Sequence, residues 1–382
     1  MTLKSSRRGG VPPFIVMDVM REANARAAAG ESVLHLEVGQ PSTPAPKGVV
    51  EAARRALAEN RLGYTEAFGL PELRERIVRH YRNAYGVEVP TTRVVVTTGS
   101  SSGFVLAFLA AFDVGDRVAL AVPGYPAYRN ILAALGIEPV LVETGPGDRF
   151  QPTPEVLDRL AGRLDGLIVA SPANPTGSMI PRGDLERLAA HCRVRGIRLV
   201  SDEIYHGIVF GPAAETALAF DPEAIVINSF SKYYSMTGWR LGWMVVPESL
   251  ARAVECLTQN LYISPPTLSQ IAGIAAFDCA VELDANVARY AENRRLLLAE
   301  LPKAGFDKFA PADGAFYLYA DVGDLTNDSA EFCRRMLAET GVAATPGLDF
   351  DPGRGNRFVR FSIAGATADM AEAARRLVAW RR

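Results

Sequence analysis

The feature that most constrains the fold is a repeat that starts near residue 93. Short β-branched runs alternate there with glycine- or proline-containing turns and helical segments. Such alternation predicts βαβ units, which build a largely parallel sheet with right-handed crossovers. The predicted strands lie at residues 94–96, 118–122, 166–170, 197–200 and 225–228. Because ligands bind beyond the carboxyl ends of the strands in such sheets, functional residues are expected directly after each run.

The segments on either side of this repeat are mainly helical. Helices are predicted at 18–29, 47–59 and 71–85 before it, and at 248–260, 267–280 and 282–303 after it. The last part predicts a separate α+β unit, with strands at 316–320 and 357–363 and helices at 328–340 and 367–381. The predicted fold class is therefore α/β, with a large domain and a small α+β domain.

Composition limits the classes of partner. Lysine and arginine number 41 against 43 acidic residues, a formal net charge of −2, which argues against nucleic acid or a membrane surface held by bulk charge. The apolar stretch 103–112 is about half as long as a membrane span, and the basic N-terminal residues precede no apolar signal segment. We therefore expect a cytoplasmic protein.

The cysteines predict neither disulfides nor a metal site. They form no CxxC motif, and His191 beside Cys192 lacks the spacing of metal ligands. Four free, buried thiols are expected: Cys192, Cys256, Cys279 and Cys333.

Lys232 lies just beyond the predicted strand 225–228, in the stretch Ser229-Phe-Ser-Lys232, and Arg240 follows between glycines. A nearby positive charge and partial desolvation lower a lysine pKa below its usual ~10.4 and favour the nucleophilic neutral amine. Lys232 is therefore a candidate for covalent catalysis. The alternative is a solvated lysine in a Ser/Tyr loop, and the residues at the other strand ends decide between the two.

A phosphate cradle is predicted after the strand 94–96. Gly99, Ser100 and Ser101 open a helix there, where backbone N–H groups and hydroxyls favour an anion. The alternative is ordinary turn chemistry, for which glycine and serine are also common. Ser229 and Arg240 are placed to close the same phosphate from another side.

Asp202 ends another buried strand, where a carboxylate without a cation is costly. A protonated ring nitrogen would serve, and a cap or turn aspartate is the alternative. Asn174 and Tyr205 can donate to a phenolate-type oxygen, Tyr125 offers a face for stacking, and His206 is interpreted as structural. Lysine, phosphate cradle, carboxylate and oxygen donors together describe a holder for pyridoxal phosphate.

The same motifs resemble the fold-type I, class I and II aminotransferases of the aspartate aminotransferase superfamily. They are Ser171-Pro-Ala-Asn-Pro-Thr-Gly177, Asp202-Glu-Ile-Tyr205, Ser229-Phe-Ser-Lys232, Gly238-Trp-Arg-Leu-Gly242 and Arg360-Phe-Ser362. The resemblance covers nearly the whole chain, and its specificity comes from the ordered set. It implies a seven-stranded, mainly parallel sheet in a large cofactor-binding domain at 46–285. A small α+β domain at 286–382 would include the N-terminal segment 1–45.

The resemblance also implies roles for the matched residues toward pyridoxal phosphate. Lys232 matches the lysine that forms a Schiff base with the cofactor and moves the substrate proton, and Asp202 matches the partner of the pyridine nitrogen. Asn174 and Tyr205 match the residues that bind the 3′-oxygen, and Tyr125 matches the stacking ring. The phosphate shell is matched by Gly99, Ser100, Ser101, Ser229 and Arg240.

Substrate and subunit contacts follow from the same resemblance. Arg360 matches the arginine that binds the substrate α-carboxylate, and Gly39 and Asn174 match further substrate contacts. Tyr64 matches a tyrosine that reaches the phosphate from the neighbouring subunit, which implies a homodimer with shared active sites. The Asn174–Pro175 bond is expected to be cis.

Three functions are considered. The first is an aminotransferase that moves an amino group from an L-amino acid to a 2-oxo acid, expected to be 2-oxoglutarate, by a ping-pong mechanism. The second is a fold-type I lyase or synthase, such as a C–S β-lyase or an aminocyclopropane-carboxylate synthase, which shares nearly all the motifs. The third, a cofactor-binding regulator, is disfavoured because the sequence has no room for a DNA-binding module before Pro12. The sequence does not identify the amino donor, although Arg129 is a candidate for binding a distal carboxylate.

Overall fold

The computed structural model describes residues 3–60 and 62–380. Its α-helices are α1 Ile15–Ala28, α2 Lys47–Glu59, α3 Pro71–Tyr85, α4 Gly99–Ala111, α5 Pro126–Leu135, α6 Pro154–Leu157, α7 Arg182–Arg195, α8 Glu248–Leu261, α9 Thr267–Ala276, α10 Ala280–Glu300, α11 Ser329–Thr340 and α12 Thr367–Trp380. Its strands are β1 Leu34–His35, β2 Val94–Thr97, β3 Arg117–Val122, β4 Glu138–Glu143, β5 Gly166–Ala170, β6 Arg198–Asp202, β7 Ile225–Ser229, β8 Gly242–Val245, β9 Lys308–Phe309, β10 Tyr317–Asp321, β11 Val342–Ala343, β12 Thr345–Pro346 and β13 Phe358–Ser362.

The central sheet has seven strands in the order β2-β8-β7-β6-β5-β3-β4. Every neighbouring pair is parallel except those of β8, which runs antiparallel to both β2 and β7. Strands β2, β5, β6 and β7 therefore end at the same edge of the sheet. This arrangement confirms the predicted α/β fold with a mainly parallel, seven-stranded sheet.

Burial explains why the central strands read as continuous apolar runs. All residues of β2, β7 and β8 are buried, because helices cover both faces of the sheet. In α7 the four buried residues, Leu185, Leu188, Ala189 and Cys192, recur at helical spacing and so lie on one face of the helix. The sheet is thus a rigid support whose strand ends carry the polar residues.

A second, antiparallel sheet has the order β12-β13-β10-β9. Strand β1 pairs in parallel with β11, so residues 34–35 from the N-terminal segment lie beside residues 342–343. Helix α10 runs through residue 285 without a break. The domain boundaries at 45 and 285 remain predictions.

Several predicted elements differ from the structure. Helix α1 begins at Ile15 rather than at residue 18, and α9 ends at Ala276, four residues before α10 begins. Strands β4 and β8 were not predicted, and neither were the two-residue strands β9, β11 and β12. The predicted last helix, 367–381, extends one residue beyond the described part of the chain.

The remaining expectations concern thiols, metals and membranes. All four cysteines are free, but Cys256 and Cys279 are only partly buried, contrary to the expectation of buried thiols. Within residues 3–60 and 62–380, no group of three potential metal-ligating side chains is found, and no helix is long and apolar enough to span a membrane.

Candidate active site

A pocket of about 270 Å³ lies at the carboxyl ends of the central strands. It is lined by ten of the thirteen residues that the sequence analysis selected. They are Gly39, Ser100, Ser101, Tyr125, Asn174, Asp202, Tyr205, Lys232, Arg240 and Arg360. Gly99, Ser229 and Tyr64 are not among the lining residues.

Lys232 lies in the turn that follows β7 and extends into this pocket. Its Nζ donates to the carbonyl of Gly39 at 2.6 Å and lies 5.8 Å from the centre of the Tyr205 ring. Burial lowers the Lys232 pKa to about 8, and the positive charges of Arg360 and Arg240 act in the same direction. A substantial fraction of this amine is therefore neutral near physiological pH.

Gly39 must be a glycine for its carbonyl to reach Lys232. A Cβ at this position would lie 2.1 Å from the hydroxyl oxygen of Tyr317. That hydroxyl shares a 2.7 Å hydrogen bond with the hydroxyl of Tyr205, so a larger residue at position 39 would disturb both tyrosines. The segment after β1 is thereby packed directly against the end of the central sheet.

Asp202 is the last residue of β6, and its carboxylate is buried. The Tyr128 hydroxyl donates to Oδ2, and the Ile204 N–H donates to Oδ1 at 3.0 Å. Burial raises the Asp202 pKa to about 6, although both hydrogen bonds and the charge of Lys232 lower it. Tyr128 was not selected from the sequence; its only signal is its position three residues after Tyr125, on the same helix.

The start of α4 forms a concave turn against Arg240. Gly99 has a φ of +75°, and a Cβ there would lie 2.5 Å from Arg240 Nη2. Glycine is therefore required for the guanidinium to pack over the first turn of the helix. Ser100 and Ser101 follow immediately and line the pocket. Backbone N–H groups, hydroxyls and a guanidinium converge here, as an anion site requires.

Two serines near this cradle, Ser229 and Ser231, differ in whether they line the pocket. The Ser229 hydroxyl is buried and lies within hydrogen-bond distance of Ser231 Oγ, at 2.9 Å, and of the Leu241 carbonyl, at 3.2 Å. Ser231, not Ser229, is among the residues that line the pocket. The signal for Ser231 was present in the Ser-Phe-Ser-Lys motif, one residue before Lys232.

Arg360 enters the pocket from β13 and is almost fully buried. Its guanidinium donates to Asn174 Oδ1 at 2.8 Å and to the Glu37 carbonyl at 2.5 Å, and it lies 4.4 Å from the centre of the Tyr317 ring. Among the described residues its Nε has no hydrogen-bond partner. A buried guanidinium held by neutral groups has capacity left for an anionic ligand.

The remaining candidates lie outside the pocket. His206 accepts from the Tyr85 hydroxyl and contacts the Ser171 carbonyl at 2.9 Å, and burial lowers its pKa to about 3, in agreement with a structural role. Tyr64 is 83% exposed. Arg129 does not line the pocket and donates to the Asp349 carbonyl. The Asn174–Pro175 bond is cis, as predicted.

One wall of the pocket was missed entirely by the sequence analysis. It consists of residues from the start of the chain and from the turn before β13: Phe14, Val16, Met17, Asp349 and Phe350. Phe14 stacks on Tyr125 with ring centroids 5.9 Å apart, and Phe350 packs against Arg360. No sequence motif links these segments, because their proximity arises only in the tertiary structure.

The arrangement fits pyridoxal phosphate. Asp202 is a buried carboxylate suited to a protonated ring nitrogen, and the turn at Gly99 with Arg240 suits a phosphate. Lys232, with its lowered pKa, lines the same pocket and can react with an aldehyde. Asn174 and Tyr205 contribute further polar groups to the lining.

Comparison with known proteins identifies extensive similarity. Residues 31–377 match the family described as aminotransferase class I and II. A valine–pyruvate aminotransferase from Mycobacterium tuberculosis is 53% identical over 384 aligned residues, covering 100% of this chain and 99% of the relative. An aspartate aminotransferase from Thermotoga maritima is 34% identical over 98% of both chains.

Solved structures show the same similarity in three dimensions. The crystal structure of an aminotransferase from Mycobacterium tuberculosis matches with a TM-score of 0.97 and 53% identity, covering 99% of both chains. An aspartate aminotransferase from Thermus thermophilus with maleate matches with a TM-score of 0.93 and 32% identity, covering 99% of this chain and 100% of that one.

Proposed function

Because the chain belongs to the class I and II aminotransferase family and is therefore an aminotransferase that depends on pyridoxal phosphate, we propose that it moves the amino group of an L-amino acid to a 2-oxo acid by a ping-pong mechanism. The observation that supports this reaction is the convergence of Lys232, Asp202 and Arg360 on one pocket. Asp202 ends strand β6 and Lys232 follows strand β7 of the central sheet, whereas Arg360 belongs to the separate C-terminal sheet.

Each of these residues has a defined task. Pyridoxal phosphate, when bound, stabilises negative charge that develops on the substrate α-carbon. The Lys232 amine would remove a proton from that carbon and deliver it to the C4′ carbon of the cofactor, and its pKa of about 8 suits both steps near neutral pH. Asp202 keeps a proton on the ring nitrogen, and Arg360 orients the substrate α-carboxylate with its planar guanidinium.

The other lining residues hold the cofactor in place. Ser100, Ser101, Ser231 and Arg240 bind its phosphate, and Gly99 keeps the turn open for that group. Ser229 fixes the Ser231 hydroxyl from behind. The proposed task of Tyr125 is to stack on the ring, and that of Asn174 and Tyr205 is to contact the 3′-oxygen.

The identity of the substrates is the finer part of the proposal. We favour donors with neutral, mainly apolar side chains, because Phe14, Val16, Met17 and Phe350 line the pocket. The name of the relative with 53% identity, valine–pyruvate aminotransferase, agrees with such a donor and suggests pyruvate as acceptor. The resemblance stated from the motifs suggests 2-oxoglutarate, so both acceptors are candidates.

A homodimer is proposed for the same enzyme, with Tyr64 contacting the phosphate bound in the partner subunit. In one chain the Tyr64 ring is 83% exposed, whereas the residues on either side of it are anchored. An ordered loop that presents an exposed aromatic ring is suited to a partner surface.

A substrate panel tests the reaction. The cofactor-loaded protein is incubated with each L-amino acid and either pyruvate or 2-oxoglutarate, and both products are quantified. We expect apolar donors to react. Double-reciprocal plots of initial rate against donor concentration, at several acceptor concentrations, should give parallel lines. Lys232→Ala should abolish turnover, whereas Lys303→Ala, an exposed lysine paired with Glu300, should not. Absence of transfer from every donor would refute the proposal, and keto acid released without an acceptor would indicate a lyase.

A further inference from the structure

Asp349 lines the active-site pocket, although its carboxylate is used within the protein. The side chain is 2% exposed. Oδ1 accepts a hydrogen bond from the Ile15 N–H at 3.0 Å, and Oδ2 accepts one from the Val16 N–H at 3.2 Å. These bonds satisfy the first N–H groups of α1, 334 residues away in the sequence. One carboxylate therefore joins the C-terminal part of the pocket to the start of α1.

The charges around the pocket leave Asp349 without a role in the reaction described above. Five charged side chains line the described pocket: Asp202, Lys232, Arg240, Asp349 and Arg360. Cofactor binding, proton transfer and the substrate α-carboxylate use the other four. Asp349 is thus the one charged group in that lining that is free to act on the substrate side chain.

Asp349 acts electrostatically on the groups that surround the substrate. Its charge contributes to raising the pKa of Tyr125, whose ring lines the pocket. Burial raises the pKa of Asp349 itself, whereas the hydrogen bonds from Ile15 and Val16 and the charge of Arg360 lower it. The carboxylate therefore lies within range of the position where Arg360 holds a substrate. Its neighbours in the lining, Phe14, Val16 and Phe350, are apolar and cannot stabilise a second negative charge.

Arg129 partly offsets the charge of Asp349, but it lies outside the pocket lining. Its Nη2 donates to the Asp349 backbone carbonyl at 2.7 Å, and Arg129 is absent from the described lining. The nearby carboxylates of Asp349 and Asp351 interact with its positive charge. The arginine that the sequence suggested for a distal carboxylate is therefore held on the turn rather than directed into the pocket.

We propose that Asp349 is a specificity-determining residue that excludes substrates with an acidic side chain. This inference rests on the proposed function and deepens it. A side-chain carboxylate would be placed near a fixed like charge in a poorly hydrated pocket, which raises the cost of binding. The same rule applies in both half-reactions, so donors with neutral side chains and monocarboxylic 2-oxo acids such as pyruvate are selected over aspartate, glutamate and 2-oxoglutarate.

Asp349 also positions the surface that a neutral side chain contacts. By capping α1 it fixes the first turn of the helix, from which Val16 and Met17 reach the pocket, and the adjacent Phe14. Repulsion of acidic side chains and contact with apolar ones therefore depend on the same residue.

The substitution Asp349→Asn removes the charge and keeps one of the two capping acceptors, because the amide oxygen can accept from the Ile15 or the Val16 N–H whereas the amide nitrogen cannot accept. The ratio of kcat/KM for aspartate to that for valine should rise about tenfold or more, mainly through KM, and so should the ratio for 2-oxoglutarate to pyruvate. The matched control is Asp18→Asn, which removes the same charge from the exposed first turn of α1. It should leave both ratios unchanged.

A binding measurement is independent of turnover. Succinate and butyrate are titrated into the cofactor-loaded wild-type enzyme and followed by the change in cofactor absorbance. We expect butyrate to bind more tightly, and Asp349→Asn to shift the preference toward succinate. Tighter binding of succinate by the wild type would overturn the inference. So would ratios that move less than twofold in Asp349→Asn, or equally in Asp18→Asn. Failure of every donor to react would instead refute the proposed function, while these titrations still decide the role of Asp349.

Discussion

The two sides of the pocket are built in different ways. The strand-end wall, comprising Ser100, Asn174, Asp202 and Lys232, consists of residues that follow strands of the central sheet within a few positions. The opposite, closing wall comprises Phe14, Val16, Asp349, Phe350 and Arg360, which come from the start of the chain and from the C-terminal sheet. A single rigid sheet positions the first wall, whereas contacts between distant segments position the second.

This difference corresponds to a division of tasks. On the strand-end wall, the contacts of Asp202 with Tyr128 and Ile204 fix a group proposed to act on the cofactor, whatever the substrate. On the closing wall, Arg360 and Asp349 are proposed to act on the substrate rather than on the cofactor. Variants of the strand-end wall should therefore reduce kcat for all substrates, whereas variants of the closing wall should act on kcat/KM and on selectivity.

The largest of the effects predicted below is expected for Asp202→Asn, on the strand-end wall. Asparagine keeps the acceptor for the Ile204 N–H but loses the negative charge, so the ring nitrogen is no longer held in its protonated form. The kcat should fall by about 100-fold or more for every donor, a typical loss when one group that stabilises developing charge is removed. Cofactor absorbance should show that the variant still binds pyridoxal phosphate.

Tyr128→Phe is a milder change that acts on the same carboxylate, that of Asp202. It removes one hydrogen bond from Asp202 but leaves the carboxylate, and it raises the Asp202 pKa because that bond favours the ionised form. The loss of kcat should be about tenfold. A wild-type kcat in Asp202→Asn would show that the carboxylate has only a structural role.

A smaller effect is expected for Arg360→Lys, on the closing wall. Lysine keeps the positive charge but cannot form the planar fork of a guanidinium. The kcat/KM should fall by about 10- to 100-fold for all amino acids alike, which corresponds to the loss of one charge-assisted hydrogen bond. Arg357→Lys is the matched control, because Arg357 directly precedes the same strand, is half-exposed and pairs with Asp321. A loss limited to one class of side chain would make Arg360 a selectivity residue.

Local signals were sufficient for most of the fold. The bounds of α2 and α3 were predicted correctly, and α3 has a proline in its first turn and ends at Gly86 in the left-handed conformation. Strand β4 was missed because it is an edge strand with a proline and only one buried residue, which does not resemble the apolar central runs. Strand β8 was missed because it has only four residues and begins at Gly242, the last residue of the Gly238–Gly242 motif.

The same distinction explains which site residues could be predicted. Residues of the strand-end wall follow strands, so their proximity results from the parallel sheet alone. Arg360 was selected only through the family resemblance. Asp349, by contrast, contacts Ile15 across 334 positions, and no periodicity or spacing in the sequence encodes that contact. Substrate selectivity was therefore the least predictable property, because it depends on tertiary contacts between segments that share no motif.

The smallest expected signal is a partial recovery of activity that depends on a third element, Tyr64, which belongs to neither wall of its own chain. Its loop is held by a hydrogen bond from Thr267 to the Gly63 carbonyl and by one from the Thr65 N–H to Ser264, yet the Tyr64 ring is 83% exposed. If the enzyme is a homodimer with shared sites, this ring completes the phosphate site of the partner. Tyr64→Ala alone should then be strongly impaired, and a variant with near wild-type activity would end the assignment.

Mixing two inactive variants distinguishes a shared site from an internal one. Lys232→Ala and Tyr64→Ala chains are unfolded together and refolded, and with random pairing about half of the dimers contain one chain of each. If Tyr64 acts across the interface, each mixed dimer has one site with both defects and one site with neither. Up to about a quarter of wild-type activity should then return. If Tyr64 serves its own subunit, every site keeps one defect and the activity stays at the average of the two parents.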